Sequence, residues 1–322
     1  MKLYLKCVVV CSLILLSSCV NHSPVSKVPK ELNDDLASQY YSDKDLIAWQ
    51  IYLSKRFPNV KFVIGDVRNK DLLIKSCKGH DIGIFTASFK QIDACSYNPE
   101  EALQTIVHGS FNSKYAAIEN NFQSACFIST DKSRAATTVY GAMKYVAGES
   151  FILNNENYKT NFTTAIYGNV MNSTGSLIPL IWKAIENNIT LELYHPQMTR
   201  FMIDISEAMD LIEVSLSLSD VNVVPNIKSF LVKDIFEIYK DMFGLKYKVT
   251  KPRVNEKIHE IMASSEEIPR MKYLKKHDVY VIDPVKKFDE VDFKNDEYSS
   301  QNVVLSKEEL STYLEDKGFY TS

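Results

Sequence analysis

Two short segments near the middle of the chain carry side chains that can move protons. The first is Ser129-Thr130-Asp131-Lys132, and the second is Tyr140-Gly141-Ala142-Met143-Lys144. Tyr140 and Lys144 are four residues apart, so on a helix they share one face. A lysine ammonium beside a phenol favours the phenolate, which lets a tyrosine act as a base near neutral pH. This spacing is common by chance, so the pair gains weight only from the polar segment that precedes it.

The elements that must position these segments follow from the hydrophobic pattern. Short apolar runs rich in β-branched and aromatic residues predict strands at 60–64, 82–85, 126–129 and 164–167. Helical spacing of apolar residues predicts helices at 43–56, 70–77, 100–120, 176–187 and 206–216. This alternation predicts βαβ units and an α/β fold with a doubly wound parallel sheet. The polar segment at 129–132 would then stand at the carboxyl edge of that sheet, where open α/β folds bind ligands.

Composition excludes several classes of protein. The 322 residues suggest about two domains, and 45% hydrophobic with 24% charged residues excludes disorder and coiled coil as the main architecture. A net charge of −3 gives no basic surplus, so no nucleic-acid partner is expected. His259-Glu260 lacks the second histidine of a zinc-protease helix, and the cysteines have no zinc spacing, so no metal site is expected.

The N-terminal residues predict where in the cell the protein is located. Two lysines precede the uncharged apolar run 7–18, which is too short to span a membrane and has the size of a secretory core. Leu16-Ser17-Ser18-Cys19 resembles a bacterial lipobox. We therefore predict a lipoprotein-like signal peptide at 1–19 and membrane association through it, followed at 20–40 by a polar spacer or a degenerate first βα unit. The alternative is that the run forms a first core strand, which would leave the protein cytoplasmic.

Nine blocks in order between Tyr41 and Tyr313 resemble the extended short-chain dehydrogenase/reductases that act on nucleotide sugars, specifically the capsular-polysaccharide and UDP-N-acetylglucosamine 4,6-dehydratase group. The blocks are YSDKDL (41–46), FVIGDVRN (62–69), FKQIDACSYNP (89–99), ISTDK (128–132), YGAMK (140–144), YGNVMNSTGSLIP (167–179), QMTRF (197–201), RVNEKIHE (253–260) and EYSSQN (297–302). Tyr140, where membrane-anchored relatives usually have methionine, is similar to the soluble C5-inverting dehydratases. The resemblance implies a Rossmann-like NADP-binding domain at 41–220 and a smaller C-terminal α/β substrate-binding lobe at 221–322, which segments of 168–205 can join.

The resemblance also implies roles for individual residues. NADP would oxidise C4 of a UDP-sugar with Tyr140 as base, while Lys144 lowers the pKa of that tyrosine and contacts the nicotinamide ribose. Asp131 and Lys132 would drive loss of water across C5 and C6, and Thr130 would bond the sugar. The implied cofactor-binding residues are Ser42, Lys44, Asp66, Val67, Lys90, Tyr140 and Lys144, and the implied substrate-binding residues are Lys90, Asn169, Arg200, Arg253 and Glu256. For the two arginines, whose planar fork suits a diphosphate, a surface ion pair is the alternative.

Departures from the family pattern lie mostly in binding positions. No glycine precedes Gly65, and the glycine-rich turn expected near 15–21 reads LLSSCVN, so close approach to a pyrophosphate would be blocked. Asn255 replaces the glycine of a GEK motif, and Ile166 replaces an arginine. We expect weak or absent NADP affinity.

Two functions follow from the sequence. One is a nucleotide-sugar 4,6-dehydratase, a lyase of surface polysaccharide or glycan biosynthesis. The other is a catalytically inactive relative that acts as a membrane-tethered nucleotide-sugar-binding or scaffolding lipoprotein. A rearranged gene end is a third account of the N-terminus, and association into a homo-oligomer is left open.

Overall fold

The computed structural model describes residues 7–10, 52, 55–56, 60–89, 91–173, 175–252, 254–289 and 293–320. The strands are β1 Cys7–Val10, β2 Ile82–Phe85, β3 Ser124–Thr130, β4 Asn161–Tyr167, β5 Asn169–Val170, β6 Thr190–Leu193, β7 Thr199–Ile203, β8 Val221–Pro225, β9 Ser229–Leu231, β10 Lys246–Val249, β11 Ile261–Ala263, β12 Met271–Leu274, β13 Val279–Ile282 and β14 Tyr298–Ser299. The α-helices are α1 Lys70–Cys77, α2 Ile92–Tyr97, α3 Pro99–Ala102, α4 Gly109–Glu119, α5 Val139–Ile152, α6 Leu177–Glu186, α7 Ile205–Leu216, α8 Val232–Phe243 and α9 Lys307–Asp316. A π-helical turn, Leu103–His108, joins α3 to α4.

A seven-stranded sheet in the order β1-β2-β3-β4-β8-β13-β12 forms the centre of the molecule. The first five strands run parallel, β13 pairs antiparallel with β8, and β12 pairs antiparallel with β13. Strand β3 is buried along almost its whole length, as expected of a parallel strand that is covered on both faces. The α/β class and the parallel sheet that the sequence predicts are therefore confirmed.

Helices cover both faces of this sheet. On one face α1, α4 and α5 pack through a cluster that includes Phe85, Phe127, Phe151 and Phe162. On the other face α7 packs through Leu211 and Ile212. Helix α5 runs beside β3 and β4, so the end of β3 and the start of α5 lie at the same edge of the sheet.

A second apolar core lies in a smaller lobe. It joins α6, α8 and α9 and contains Ile178, Ile181, Ile235, Tyr239 and Leu310, all of them buried. Two small sheets, β5-β7-β9 and β6-β10, contribute residues to it, whereas the sheet β11-β14 packs against the central sheet through Met262, Ala263 and Tyr298. The predicted boundary at residue 220 does not coincide with the edge of the central sheet, because β8, β12 and β13 return to that sheet.

Two segments differ from the predicted elements. The run 60–64 forms no strand, and Val60, Val63 and Ile64 are exposed; no other described element pairs with it, and a strand needs a pairing neighbour. The predicted helix 43–56 lies mostly outside the described residues.

Strand β1 lies in the apolar run 7–18, for which the sequence predicts the core of a leader. It pairs in parallel with β2, from Cys7 opposite Ile82 to Val10 opposite Phe85. This pairing agrees with the alternative of a first core strand. The leader at 1–19 and the spacer at 20–40 stay predictions, since residues 11–50 lie outside the described part. Among the described residues, no helix combines the length and apolar character needed to cross a membrane.

Candidate active site

The polar segment forms a tight turn at the carboxyl end of β3. Thr130 is the last residue of the strand, and Asp131–Ser133 form one turn of 3₁₀-helix. The Thr130 hydroxyl donates to Asp131 Oδ1 at 2.9 Å, and the Ser133 hydroxyl donates to the Thr130 carbonyl at 2.6 Å. The side chains of the turn therefore fix its shape before any ligand is present.

Helix α5 begins directly against this turn. Thr138 caps it by accepting a hydrogen bond from the Gly141 N–H at 3.1 Å. A Cβ on Gly141 would lie only 2.2 Å from the Lys132 carbonyl oxygen, so that position has room for glycine alone. Tyr140 and Lys144 lie on this helix, as predicted. Tyr140 is close enough to Asp131 and Lys132 for their charges to act on it, whereas Lys144 reaches the Ile128 carbonyl of β3.

Asp131 and Lys132 form a buried ion pair. Asp131 is fully buried, and its Oδ2 accepts no hydrogen bond from the described residues. Burial raises the pKa of the Asp131 carboxyl, and the charge of Lys132 offsets this only in part. Lys132 Nζ lies 3.2 Å from Asp131 Oδ1.

A second carboxylate, Glu260, completes the environment of Lys132. Its Oε1 lies 3.2 Å from Lys132 Nζ, and the Glu260 side chain is 4% exposed. Burial lowers the pKa of Lys132, but the Asp131 and Glu260 carboxylates outweigh burial, so the net pKa lies above its usual value. Sequence reasoning missed Glu260, which was weighed only as part of a zinc motif; its place in the RVNEKIHE block was the available signal.

Tyr140 is partly buried beside this pair. Burial raises the pKa of Tyr140 to about 12, and the charge of Lys132 opposes that rise. Asp131 and Cys95 are also close enough to act on this pKa. Lys144 is not among the groups that act on this pKa here, since its amine donates to a different partner, and the lowering expected from it stays a prediction.

That partner is the backbone of β3. Lys144 is 3% exposed and donates from Nζ to the Ile128 carbonyl at 2.6 Å. The same Nζ lies 4.4 Å from the centre of the Phe127 ring. Burial without a carboxylate lowers the pKa of Lys144 to about 7.

Arg200 and Glu256, both predicted to face the UDP-sugar, bond to each other instead. Arg200 Nη2 donates to Glu256 Oε1 at 2.6 Å, and further N–H groups donate to three backbone carbonyls, those of Thr199, Ile258 and Lys257. Arg200 Nε lies 3.7 Å from Glu260. This arginine is buried, so its ion pair with Glu256 is not the surface pair that was the alternative, and its fork holds the segment 256–260 in place. Its role toward a diphosphate stays a prediction.

Comparison with known proteins places this geometry in a family. The model of the polysaccharide biosynthesis protein family matches residues 37–283. The chain belongs to this family. The match spans the strands of the central sheet other than β1, the turn after β3, helix α5 and the segment that carries Glu260.

Curated relatives in this family carry two kinds of name. A UDP-N-acetylglucosamine 4,6-dehydratase (inverting) of Campylobacter jejuni is 31% identical over 262 residues, which is 80% of this chain and 77% of that protein. A UDP-glucose 4-epimerase of Rickettsia bellii is 32% identical over 221 residues, 66% of this chain and 64% of that protein. The family is thus one of nucleotide-sugar dehydratases and epimerases.

Solved structures share the fold. The X-ray structure of Pen from Bacillus thuringiensis superposes with a TM-score of 0.81 at 24% identity and covers 100% of both chains. A dTDP-glucose 4,6-dehydratase of Streptomyces venezuelae, solved with NAD bound, gives a TM-score of 0.57 at 16% identity and covers 65% of this chain and 72% of that one. Both structures share the α/β fold of this chain, including its Rossmann-type sheet.

The family-implied positions outside the turn have mixed surroundings. Asn169 in β5 is partly buried, and its Oδ1 accepts no hydrogen bond from the described residues. The Asp66 carboxylate accepts from the Arg68 side chain at 2.6–3.0 Å. Val67 is a core residue that packs closely against Gly109 of α4. A Cβ on that glycine would lie 2.9 Å from the Val67 side chain. Ser42, Lys44, Lys90 and Arg253 lie outside the described residues, as does the turn expected at 15–21.

Lys144 and Tyr140, the residues expected beside the nicotinamide and its ribose, fit the cofactor that the resemblance implies. The lysine amine has at least two N–H donors in either protonation state, and the Ile128 carbonyl is the acceptor that the described residues give Lys144. Lys144 therefore has donors for ribose hydroxyls, with Tyr140 one helical turn away.

Proposed function

We propose that this protein is a nucleotide-sugar 4,6-dehydratase that converts UDP-N-acetylglucosamine to a 4-keto-6-deoxy sugar in surface polysaccharide or glycan biosynthesis. The observation that carries the proposal is the pairing of Asp131 with Lys132 at 3.2 Å beside Tyr140. Loss of water across C5 and C6 needs one group to take the C5 proton and another to protonate the departing hydroxyl. Epimerisation at C4 needs neither group, so the acid–base pair favours the dehydratase over the epimerase.

Each residue then has a defined task. Tyr140 takes the proton of the C4 hydroxyl, and Lys144 holds the ribose of the cofactor. The chemistry supplied by bound NADP is acceptance and return of a hydride. Asp131 and Lys132 together take the C5 proton, deliver a proton to the C6 oxygen as water leaves, and return a proton to C5 once C6 is reduced. The Thr130 hydroxyl, already oriented by Asp131, can bond the sugar.

The first test uses the full chain, because β1 belongs to the central sheet. NADP is titrated by calorimetry, and NMR follows a 4-keto-6-deoxy product from UDP-N-acetylglucosamine. We expect product, with a loss of about 10²–10⁴-fold in Tyr140→Phe. Tyr145→Phe is the matched control, since Tyr145 is an exposed residue of the same helix, and it should keep wild-type activity.

The outcomes separate the candidates. C4-epimerised sugar without dehydration would replace the dehydratase with an epimerase. Binding of UDP-N-acetylglucosamine without NADP binding or product would support the inactive, nucleotide-sugar-binding alternative. Two features favour that alternative: the high pKa of Tyr140 and the internal bonding of Arg200.

The membrane-tethered form of the alternative depends on the leader, which has its own test. Cleavage before Cys19 would remove β1, so a chain of residues 19–322 should melt at a lower temperature than the full chain and expose the edge of β2. Equal melting temperatures, with lipidated protein in the membrane fraction of cells, would support the lipoprotein instead.

A further inference from the structure

Glu260 lies at the junction between the C-terminal segment and the turn after β3. It immediately precedes β11, and its backbone N–H donates to the Ser300 hydroxyl at 2.9 Å while its carbonyl accepts from the Ser300 N–H at 2.8 Å. These bonds fix the backbone of Glu260 independently of its side chain. The carboxylate is therefore aimed at Lys132 by a rigid support.

Three cations surround the Glu260 carboxylate. Oε1 lies 3.2 Å from Lys132 Nζ and 3.7 Å from Arg200 Nε, and Oε2 lies 4.0 Å from Lys257 Nζ. Arg200 is already neutralised by Glu256 at 2.6 Å, and Lys257 Nζ donates to the Arg134 carbonyl at 2.6 Å. Lys132 is thus the cation that depends most on Glu260.

We propose that Glu260 is a positioning residue that holds the Lys132 amine, charged, between itself and Asp131 for the proton transfers at C5 and C6. This inference rests on the proposed function. With a carboxylate on either side at 3.2 Å, Nζ is held between two acceptors, and the C-terminal segment becomes part of the site. Glu260 acts through Lys132 and is assigned no contact with the substrate.

The charge of Lys132 depends on every group that faces it. Asp131 and Glu260 favour the ammonium, whereas burial and the positive charge of Arg200 disfavour it. Tyr140 and Lys257 are further ionisable groups close to this cluster. Removing the Glu260 charge leaves Asp131 alone against burial and Arg200, so the Lys132 amine should lose its proton at lower pH.

The first experiment measures that proton without using activity. Lys132 is acylated with trace acetic anhydride across a pH series, and mass spectrometry of its peptide gives the midpoint of reactivity; its side chain is 25% exposed, so reagent can reach it. We expect Glu260→Gln to lower the midpoint by at least one pH unit, a tenfold rise in reactive amine at a given pH. Glu267→Gln is the matched control, since it removes an equally buried carboxylate that pairs with Arg134 at 2.8 Å, and it should leave the midpoint unchanged.

An unchanged midpoint in Glu260→Gln, or an equal shift in Glu267→Gln, would overturn the proposal. If the glutamine variant does not fold, Glu260→Asp keeps the charge and withdraws it by one methylene. A smaller downward shift is then expected, and a wild-type midpoint at a wild-type melting temperature would count against the role.

The second experiment uses turnover. For a wild type that forms product, Glu260→Gln should lower kcat at least tenfold, keep KM for UDP-N-acetylglucosamine within threefold, and move the pH profile in the same direction as the labelling midpoint. A raised KM with unchanged kcat would indicate substrate binding and overturn the positioning role. A wild type that forms no product defeats the proposed function alone, because the labelling experiment still decides whether Glu260 controls Lys132.

Discussion

Two lysines twelve positions apart in the sequence occupy opposite electrostatic environments in one site. Lys132 stands between two carboxylates, each 3.2 Å from its Nζ. Within the part of the chain that the structure describes, Lys144 reaches a backbone carbonyl and an aromatic ring. The turn after β3 therefore raises the pKa of its lysine, whereas helix α5 lowers the pKa of its own lysine to about 7.

This difference separates the two lysines by function. A lysine that stays charged can orient carboxylates and donate a proton, and its removal leaves those carboxylates without a partner. A lysine that titrates near neutral pH can gain or lose its charge when a ligand arrives. Burial of an unpaired amine lowers the stability of the fold, which is a common property of functional positions.

The largest expected effect is on the paired lysine. Lys132→Met leaves Asp131 and Glu260 buried without their shared cation, so the free energy of unfolding at pH 8 should fall by about 3–5 kcal/mol. Urea unfolding measures it. Lys248→Met, which breaks an exposed pair with Glu192, is the control and should change stability by less than about 1 kcal/mol. A loss at position 132 no larger than in this control would remove the contrast.

The unpaired lysine should behave in the opposite way. Lys144→Met removes an amine that is buried without a carboxylate, so at pH 6 the free energy of unfolding should rise by roughly 2–4 kcal/mol, after the lost bond to the Ile128 carbonyl is included. Thermal and urea unfolding in the absence of cofactor measure the change. Destabilisation at pH 6 would mean that Lys144 has a charged partner after all.

The pH dependence sharpens the same contrast. The pKa of Lys144 is about 7 in the folded protein and near its ordinary 10.5 when unfolded, so between these values the unfolded chain binds more protons. Wild-type stability relative to Lys144→Met should therefore rise with pH across this window, by up to ~1.4 kcal/mol per unit, and level off above it. A flat difference from pH 6 to 10 would contradict the lowered pKa.

The smallest effect is expected at the exposed pair of Asp66 and Arg68. Hydrogen bonding from Arg68 lowers the pKa of Asp66, but both side chains are more than 40% exposed. Asp66→Asn should reduce stability by less than about 1 kcal/mol, and added salt should reduce that effect further. A salt-independent loss of several kcal/mol would place this pair with the buried cluster.

Local pattern was enough for much of the fold. The helix at 70–77 coincides with α1, whose N-terminus is capped by Asn69, and the run at 126–129 lies inside β3. The run at 60–64 failed because an apolar segment becomes a strand only when another strand pairs with it, and that partner is set by the tertiary fold.

The site was predictable where its residues are close in sequence. The turn at 130–132 and the helical pair at 140 and 144 lie together because β3 leads directly into α5. The contact of Glu260 with Lys132 joins segments 128 positions apart, and no local pattern encodes it. The Ile128 carbonyl as partner of Lys144 was hidden for another reason: a backbone acceptor leaves no trace in the side-chain sequence.

Gly141 couples the positions of the two sequence motifs, the polar turn at 129–132 and the helical segment at 140–144. The start of α5 packs so closely on the Lys132 carbonyl that a Cβ at position 141 would lie 2.2 Å from its oxygen. The turn and the helix therefore move together, and a longer loop between them would break this contact. Anyone who redesigns this site for another sugar would have to exchange 130–144 as a cassette. A graft of either motif alone would set an imported helix on a foreign turn, with the amine of Lys132 displaced by the mismatch.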